Sequence, residues 1–438
     1  MYAGAAKTDV TPAWPVWMDG MIRTHRSHGV HDPLFARCLV LAGQTTLDNA
    51  FAIVAVDVCA LGQATCAAAR HAVAALTGLP AGHIIIAATH SHSGPATFGF
   101  FNPREEQYNR WLIARIAEVV AIATHDLAPV AVAYGSGREE TISHYRRLLA
   151  DDGQVVMNWE PYDPDYLRGP LGVADPEVGV LKLTWANKPD AVVAVLFSHS
   201  GHPNVMSGDN YLLSSEYPGR AARLVEEQLG GTAVFINGAE GSVDIEHLRD
   251  RDWEGVERRA QALAQAVAGA AVRSAPPGSA LIGQTVTYSV PARKITEQEW
   301  AWAQDVLRRT GGAVQAMPDG VGDDYLALLY RELRGVENQD VTIEQTCLAL
   351  GDWALISFPG ELYTEIGMTI KAHSPFRHTC TVGLANGYVG YVPTSKAIQE
   401  GGYAEDTRRL DAVADDIVLQ QSLSLLHSVR AKSTRGES

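Results

Sequence analysis

Short runs of aliphatic residues alternate along the chain with segments of helical periodicity, and this alternation limits the fold more than any other feature. The runs include CLVLAG at 38–43, FAIVAVD at 51–57 and AVVAVLFS at 191–198. Runs of this length and composition are typical of buried strands, whereas longer segments with a helical repeat of apolar residues lie between them. The pattern predicts a mixed α/β protein in which layered sheets are flanked by helices.

The remaining elements can be placed in the same way. Further predicted strands cover 83–89, 130–135, 179–185, 232–237 and 380–385, and a predicted hairpin covers 342–358. Predicted helices cover 62–77, 104–126, 215–230, 253–274, 297–310, 364–373 and 410–427. We expect one domain over 1–430, with a sub-boundary near 274–280, a mobile surface insertion at 311–340 and a disordered tail at 431–438.

Charge and hydropathy exclude several classes of function. The 438 residues carry 35 basic and 50 acidic side chains, a net charge of −15, and no basic block, which argues against nucleic-acid binding. We find no signal peptide and no apolar run long enough to span a bilayer, so we expect a cytoplasmic protein without integral membrane association. The five scattered cysteines are typical of small buried residues. A homo-oligomer is compatible with the sequence.

Two apolar strands end in pairs of histidines. HIIIAAT is followed by His90 and His92, and AVVAVLFS is followed by His199 and His202. In an extended chain His90 and His92 point to the same side, and the proline after His202 favours an extended backbone there. Imidazole is a common zinc ligand and also carries protons near neutral pH. The first pair alone is equally compatible with structural histidines, and the second alone favours them, but two such strand ends together favour a shared metal site.

Acidic and phenolic residues follow the other candidate strand ends. Glu361 comes after Pro359-Gly360, where it is either a metal ligand or an ordinary acid in the first turn of a helix. Tyrosines 388, 391 and 403 lie in a glycine-rich segment and either contact a substrate or complete the fold. FINGAEGSVDIEH could place Asp244 and Glu246 around a second cation, or form a solvated turn. The sequence has no nucleophile elbow and no nucleotide-phosphate loop.

Taken together, these segments resemble the neutral/alkaline (non-lysosomal) ceramidase family, restricted to its catalytic domain. The resemblance extends over AGAAKTDVTP, GVHDPLFARCLVL, VAVDVCALG, ATHSHSGP, HPNVM, FPGE and YVPT, in that order along nearly the whole chain. It implies a zinc-dependent amidase fold, here without the C-terminal immunoglobulin-like domain of secreted members. By position it implies that the zinc ligands are His90, His202, Glu361 and Tyr391.

The resemblance also implies catalytic residues. His92 would be the acid/base, and Arg146 and Tyr403 would stabilise the oxyanion, although Arg147 stands next to the arginine position. The chain departs from the family pattern at residues 241–245, which include Asp244, and at Glu400, so the roles of these two acids stay open.

The expected function is a zinc-dependent hydrolase that cleaves the amide bond of an N-acyl compound by a metal-activated water. The departures favour a small-molecule amide that is smaller or more polar than ceramide. Two alternatives remain from the sequence: a zinc esterase or lactonase, and a metal-binding protein without turnover. An acid/base at position 92 argues against the second alternative, because a purely structural four-ligand site would not need it.

Overall fold

An eight-stranded sheet forms the centre of the protein in the computed structural model, which describes residues 1–245, 250–272, 278 and 280–435. Its strands are β1 (Tyr2–Asp9), β2 (Phe35–Ala42), β3 (Ala50–Val56), β4 (Ile84–Ala88), β5 (Ala128–Arg138), β6 (Glu177–Trp185), β7 (Lys188–His199) and β8 (Thr232–Asn237). They lie in the spatial order β8-β7-β6-β5-β1-β2-β3-β4. The edge pairs β7/β8 and β3/β4 are parallel, and the pairs between them are antiparallel.

A second sheet packs against the first. It contains β9 (Leu281–Pro291), β10 (Asp340–Leu350), β11 (Trp353–Ser357) and β12 (His378–Val382), in that order. β10 and β11 form the predicted hairpin, which turns at Gly351 with a φ of 58°. Leu348 and Leu355 of this sheet share one buried cluster with Leu39 and Ile53 of the first. The two sheets therefore pack face to face.

Six helices of the described ranges cover the outer faces of the two sheets, and the others lie elsewhere on the molecule. In chain order, the described helices are α1 (Gln63–Thr77), α2 (Glu106–His125), α3 (Glu216–Leu229), α4 (Trp253–Val272), α5 (Glu297–Thr310), α6 (Asp323–Arg334), α7 (Thr364–His373), α8 (Ser395–Glu400), α9 (Tyr403–Thr407) and α10 (Ala414–Arg435). Helices α1 to α4 pack on the eight-stranded sheet, and α7 and α10 pack on the four-stranded sheet. The order of layers is α/β/β/α, which confirms the predicted mixed fold class.

Short elements connect these layers. Two-residue strands pair Gly29–Val30 with Leu212–Leu213, His144–Tyr145 with Val243–Asp244, and Glu361–Leu362 with Tyr391–Val392. A small sheet joins Arg147–Ala150, Val155–Met157 and Leu167–Pro170, and single 3-10 turns cover Ala81–His83 and Pro164–Tyr166. Within the ranges that the structure describes, no helix has the length and apolar character needed to cross a bilayer.

The continuous apolar runs follow from burial of both faces of the sheet. In β3, Val54 and Val56 face the cluster under α1 and α2, whereas Ile53 and Ala55, which alternate with them, face the second sheet. Because side chains alternate between the two faces of a strand, a strand buried on both sides needs apolar residues at every position. This is the reason that such strands were easy to predict.

The strand β1 has the opposite character and was not predicted. Its sequence, YAGAAKTD, is rich in alanine and has no β-branched run. It is a central strand because it pairs along its whole length with β2, from Tyr2 opposite Ala42 to Asp9 opposite Phe35. A Cβ atom at Gly4 would lie 1.9 Å from the carbonyl oxygen of Ala123, so small residues let α2 approach the sheet here.

Other differences from the sequence predictions lie in the second half of the chain. The region 311–340, predicted as a mobile insertion, contains α6 and the start of β10, and β9 at 281–291 was not predicted. Helix α10 continues to Arg435, so residues 431–435 of the predicted disordered tail are helical. Residues 436–438 lie outside the described residues, as do 274–277 and 279 of the predicted sub-boundary.

The central sheet is curled, so that loops from its two edges come together. Val234 and Ile236 of β8 share a buried cluster with Ile85 and Ala87 of β4, at the other edge of the sheet. The N–H of His92, after β4, donates to the carbonyl of Pro203, after β7, at 3.0 Å. The two histidine segments therefore meet in one place.

Candidate metal centre and its cleft

The loop after β4 is held by hydrogen bonds to the neighbouring strand end. The N–H groups of Thr89 and His90 donate to the carbonyls of Val56 and Val58 at 2.9 and 3.0 Å. His90 has a φ of 72°, in the left-handed region that residues with a Cβ rarely adopt. Such a conformation costs about 1–3 kcal/mol and persists where the surroundings fix it. It turns the chain sharply directly after the strand.

The loop after β7 is fixed by an asparagine. The side chain of Asn237, at the end of β8, donates to the carbonyl of Gly201 at 2.8 Å and accepts from the N–H of Gly201 at 3.2 Å. The next residue, His202, is buried with 3% of its surface exposed. His199 lies apart from it and faces Ser143 Oγ at 3.3 Å. Of the second histidine pair, His202 enters the candidate metal centre.

Glu361 and Tyr391 lie directly beside each other. They are Cα partners in the parallel pair of short strands Glu361–Leu362 and Tyr391–Val392, and the N–H of Glu361 donates to the carbonyl of Gly390 at 3.1 Å. The interpretation of Glu361 as an acid of the first helical turn is wrong, because α7 begins at Thr364. Glu365 is the acid of that turn.

The donor atoms of three residues converge. His90 Nε2 lies 3.2 Å from His202 Nε2 and 3.5 Å from Glu361 Oε2, and all three donor atoms are within 4.8 Å of one another. Ligands bound to zinc at about 2.0–2.1 Å in a tetrahedron are roughly 3.4 Å apart. Glu361 Oε2 is buried and has no hydrogen-bond partner among the described residues. The donor set therefore fits a small divalent cation.

His92 stands beside this group. Its Nε2 is 3.3 Å from His90 Nε2, and its ring is at right angles to that of His90 with a centroid distance of 4.7 Å. His92 forms a second potential ligand group with Cys59 and His90, again within 4.8 Å. Burial and the neighbouring imidazoles of His90 and His202 lower the pKa of His92 well below its usual value. Its ring is therefore neutral and able to accept a proton.

A main-chain carbonyl fixes the tautomer of His90. His90 Nδ1 lies 2.8 Å from the carbonyl oxygen of Cys59. Because a carbonyl can only accept, Nδ1 carries the proton and Nε2 keeps its lone pair for a metal. His202, the second histidine of the donor group, is neutral because burial and the neighbouring His90 and Arg146 lower its pKa well below the usual value.

The carboxylate of Glu361 has its own support. Tyr388 donates its hydroxyl to Glu361 Oε1 at 2.7 Å, so Oε2 is left to face His90. Burial alone would raise the pKa of Glu361, but His90 and the bond from Tyr388 lower it below the usual value. Tyr391 is buried beside Glu361, and burial and this carboxylate raise the pKa of its phenol well above the usual value.

Two adjacent arginines have different environments. The guanidinium of Arg146 packs over Tyr391 and Tyr403, at 4.8 and 5.4 Å from the ring centroids, and its buried Nε and Nη2 have no hydrogen-bond partner among the described residues. Arg147 Nη2 instead donates to Glu400 Oε2 at 3.0 Å and to the carbonyls of Ala397 and Gly401. Of this pair, only Arg146 packs on the tyrosine rings that line the cleft. Arg147 instead binds Glu400 and the main chain at the end of α8.

Asp244 lies away from the donor group. It is buried, its Oδ1 accepts from the N–H of Ile245 at 2.7 Å, and burial, opposed by Arg251, raises its pKa to about 6. Ser242, in the same turn, hydrogen-bonds Thr364 at the start of α7. The bonds of Asp244 and Ser242 therefore hold this turn in place, and that of Ser242 joins it to the start of α7. Glu246, the other acid considered for a second cation, lies outside the described residues.

A cleft leads from the surface to the donor group. His90, His92, Glu361, Tyr391 and Tyr403 line it. Phe100, Phe101 and Leu329 form its apolar side. The space among these side chains is small, about 50 Å³.

Three residues near the centre were not among the predicted site residues. Tyr388 was noted only as one of several tyrosines, Cys59 as one of five buried cysteines, and Glu240 not at all. The carboxyl of Glu240 is fully buried with both oxygens unpartnered among the described residues, and burial and the charge of Glu361 raise its pKa well above the usual value. The available signal was a carboxylate three residues past the end of a buried strand, in the turn that follows β8.

The fold and the donor group together define a layered α/β protein with a buried cluster of metal-ligating side chains at the bottom of a cleft. The family model of the neutral/alkaline non-lysosomal ceramidase N-terminal region matches residues 2–269. The chain belongs to this family. Membership implies a hydrolase that acts on amide bonds.

Solved structures of ceramidases have the same fold. The neutral ceramidase from Pseudomonas aeruginosa is similar with a TM-score of 0.74 at 18% sequence identity, over 98% of this chain and 74% of that chain. A structure of a ceramidase complexed with C2 has a TM-score of 0.74 at 18% identity, over 98% of this chain and 75% of the other. At this identity the similarity establishes the fold, and the substrate has to be argued from this chain's own residues.

Proposed function

We propose that the protein is a zinc-dependent amidohydrolase that cleaves a linear N-acyl amide. The observation that carries this proposal is the convergence of His90 Nε2, His202 Nε2 and Glu361 Oε2 at separations of a tetrahedral ligand set. The family supplies the type of bond, since its members act on amides. Zinc is favoured over magnesium or calcium because imidazole nitrogens dominate the donor set.

His90, His202 and Glu361 would hold the metal, and Tyr391 would be the fourth protein ligand because its backbone pairs with that of Glu361. When bound, zinc supplies a Lewis acid that polarises the amide carbonyl and makes water a better nucleophile. Two neutral imidazoles and one carboxylate leave such a site with net positive charge. This charge favours the oxyanion that develops in amide hydrolysis.

The protein's own residues would move the proton and stabilise the charge. His92 Nε2, neutral because of its burial, accepts a proton from the attacking water and returns it to the leaving nitrogen. Arg146 has buried N–H groups that find no partner in the described part of the chain, on the aromatic side of the cleft, where they can donate to the carbonyl oxygen. The hydroxyl of Tyr403 can donate to the same oxygen.

The substrate is proposed to be smaller or more polar than ceramide. The space of about 50 Å³ at the donor group suits a compact acyl group better than a long chain lying beside the metal. The nearby apolar surface is limited to a few side chains such as Phe100, Phe101 and Leu329. Comparison of long-chain ceramide with short N-acyl amides tests this point, and efficient turnover of ceramide would contradict it.

The function is tested by metal analysis and by one substitution. We expect about one zinc per chain and amide cleavage that a chelator abolishes. His92→Ala should keep the zinc but lower kcat by about two to four orders of magnitude, which is the usual contribution of a general acid/base. Loss of zinc from this variant would show that His92 is a ligand. Full zinc occupancy without cleavage of any amide or matched ester would support a metal-binding protein without turnover.

A further inference from the structure

A second cavity begins at the residue that would hold the carbonyl oxygen. Tyr403 lines the cleft, and it also lines a separate cavity of about 550 Å³, here called the acidic pocket. The ring of Tyr403 packs edge-on against Trp159 of that pocket, with a centroid distance of 5.4 Å, and the guanidinium of Arg146 lies over both rings. A substrate whose carbonyl contacts Tyr403 is therefore adjacent to the acidic pocket.

The charge of the acidic pocket is negative. Glu160, Asp319 and Asp406 line it, and no Lys, Arg or His is among its described lining residues. Asp319 is neutralised by an ion pair with Arg251. Within the described part of the chain, neither Glu160 nor Asp406 has an ion-pair partner, and Glu160 accepts only the N–H of Met157, at 3.0 Å. Two carboxylates of the described chain therefore line the cavity without a direct ion-pair partner, and the buried guanidinium of Arg146 packs over the Trp159 and Tyr403 rings of its wall.

The remaining surface of the acidic pocket is apolar. Met157, Trp159, Met317 and Leu326 contribute side chains to it. Such a surface binds an alkyl segment through burial of apolar area, and an aromatic ring such as that of Trp159 also attracts a cation. The combination of an apolar surface with two unpaired carboxylates matches an alkyl chain that ends in a positive charge.

The two cavities differ in a way that orients a substrate. Beside the donor group the cleft offers Phe100, Phe101 and Leu329, a surface for an acyl chain. Beyond Tyr403 the acidic pocket offers carboxylates, which would repel the carboxylic acid product and attract an amine. The acyl half of an amide therefore belongs in the cleft, and its amine half belongs in the acidic pocket.

We propose that the acidic pocket binds the amine half of the substrate and that this half carries a second, positively charged group, as in a mono-acylated alkyl diamine. This assignment rests on the proposed amide hydrolysis and specifies its substrate class. The reaction breaks the amide C–N bond and adds one water, releasing a carboxylic acid and a diamine. It needs no other reactant.

The test measures binding, so that it does not depend on turnover. Three amides with the same hexanoyl group are titrated calorimetrically into the zinc-loaded His92→Ala protein. Their amine halves are diaminobutane, pentylamine and aminopentanoate, which place an ammonium, a methyl or a carboxylate at one position. We expect the diaminobutane amide to bind at least about tenfold more tightly than the pentylamine amide, and the aminopentanoate amide to bind most weakly.

Substitutions locate the preference. The double substitution Glu160→Gln and Asp406→Asn is made in the His92→Ala protein. In this variant the diaminobutane and pentylamine amides should bind with equal affinity. The affinity for the pentylamine amide should be unchanged, which also shows that the pocket is folded. Glu118→Gln, an exposed acid of α2 paired with Arg115, is the matched control and should keep the preference. Equal affinities in the parent protein, or a preference that survives the double substitution, would overturn the proposal.

Turnover separates this proposal from the function on which it rests. If the zinc-loaded wild-type protein hydrolyses the pentylamine amide but shows no preference for the diaminobutane amide, the acidic pocket is wrongly assigned and the amidohydrolase stands. If it binds the diaminobutane amide preferentially and hydrolyses none of the three amides, the proposed amide hydrolysis is wrong. The diaminobutane amide is then a ligand of the pocket but not a substrate.

Discussion

The metal side of the cleft and the acidic pocket are adjacent, but they are built differently. His90, His202 and Glu361 are each exposed by 3% or less and come from strand ends joined by main-chain hydrogen bonds. The acidic pocket is lined by short strands, turns and a single-turn helix at residues 155–161, 317–321 and 402–406. The first arrangement holds the donor atoms on rigid, hydrogen-bonded strand ends, as a metal site requires. The second tolerates changes in side chains, so the substrate can be altered without disturbing the chemistry.

The largest expected effect lies on the metal side. Glu361→Gln keeps the shape of the side chain but removes the charge that faces His90, so we expect zinc content to fall well below one per chain and kcat/KM to fall by at least about a thousandfold. Mass-spectrometric metal analysis and amide hydrolysis check this. The exposed Glu118→Gln is the control. Retained zinc in Glu361→Gln would contradict the ligand assignment.

The adjacent arginines give a second and smaller contrast. Arg146→Gln should lower kcat by about 10²–10³ because it removes unpaired N–H donors from the cleft, with little change in zinc content. Arg147→Gln should change kcat less than tenfold, but it leaves buried carbonyls and Glu400 without a donor and should lower the free energy of unfolding by about 3 kcal/mol. Chemical denaturation and kinetics of both variants test the contrast, and equal effects on kcat would refute it.

A third prediction tests how rigid the metal side is. A Cβ atom at Gly20, which has a φ of 90°, would lie 2.4 Å from Cγ of His92. Gly20→Ala should therefore displace the imidazole, lower kcat/KM about tenfold and lower the free energy of unfolding by about 1–3 kcal/mol, while zinc stays bound. Gly43→Ala, where a Cβ atom meets nothing within 4 Å, is the control. An unchanged Gly20→Ala enzyme would mean that His92 can move without cost.

The smallest expected effect is a pH dependence in the acidic pocket. Burial, then the charge of Glu405, raises the pKa of Asp406 to about 6, with smaller contributions from Glu299 and Glu160 and an opposing one from Arg293. Protonation below that pH removes one negative charge from the pocket. The ratio of kcat/KM for the diaminobutane amide over the pentylamine amide should therefore fall several-fold as the pH is lowered through about 6. A ratio that stays constant between pH 8 and 5 would exclude Asp406 from cation binding.

The parts of the molecule that sequence predicted well share a simple physical cause. Strands buried on both faces must be apolar at every position, so β3, β4 and β7 stand out, and histidines directly after β4 and β7 are conspicuous. β1 was missed because its small residues, such as Gly4 against Ala123 of α2, are selected by close packing, which is a tertiary effect without a local signal. Helix α6 was missed because Gly and Asp residues surround its amphipathic segment, which packs on α5.

The candidate site was visible from sequence only in part. Nothing local separates Arg146 from Arg147, because their difference lies in partners that are far away in the chain, Tyr391 for one and Glu400 for the other. Tyr388 supports Glu361 through a contact between two different loops. The acidic pocket combines segments more than 150 positions apart, so its charge could not be assembled without the fold.

The carbonyl of Cys59 that holds the proton of His90 belongs to the main chain, and this has a consequence for protein engineering. Every amino acid at position 59 brings the same carbonyl acceptor, so the tautomer of His90 is kept when the side chain changes, whereas the thiol, 3.7 Å from His90 Nδ1, is a separate contact that the change removes. Position 59 is therefore a place where the polarity beside the donor group can be redesigned while the main chain keeps the proton on His90 Nδ1.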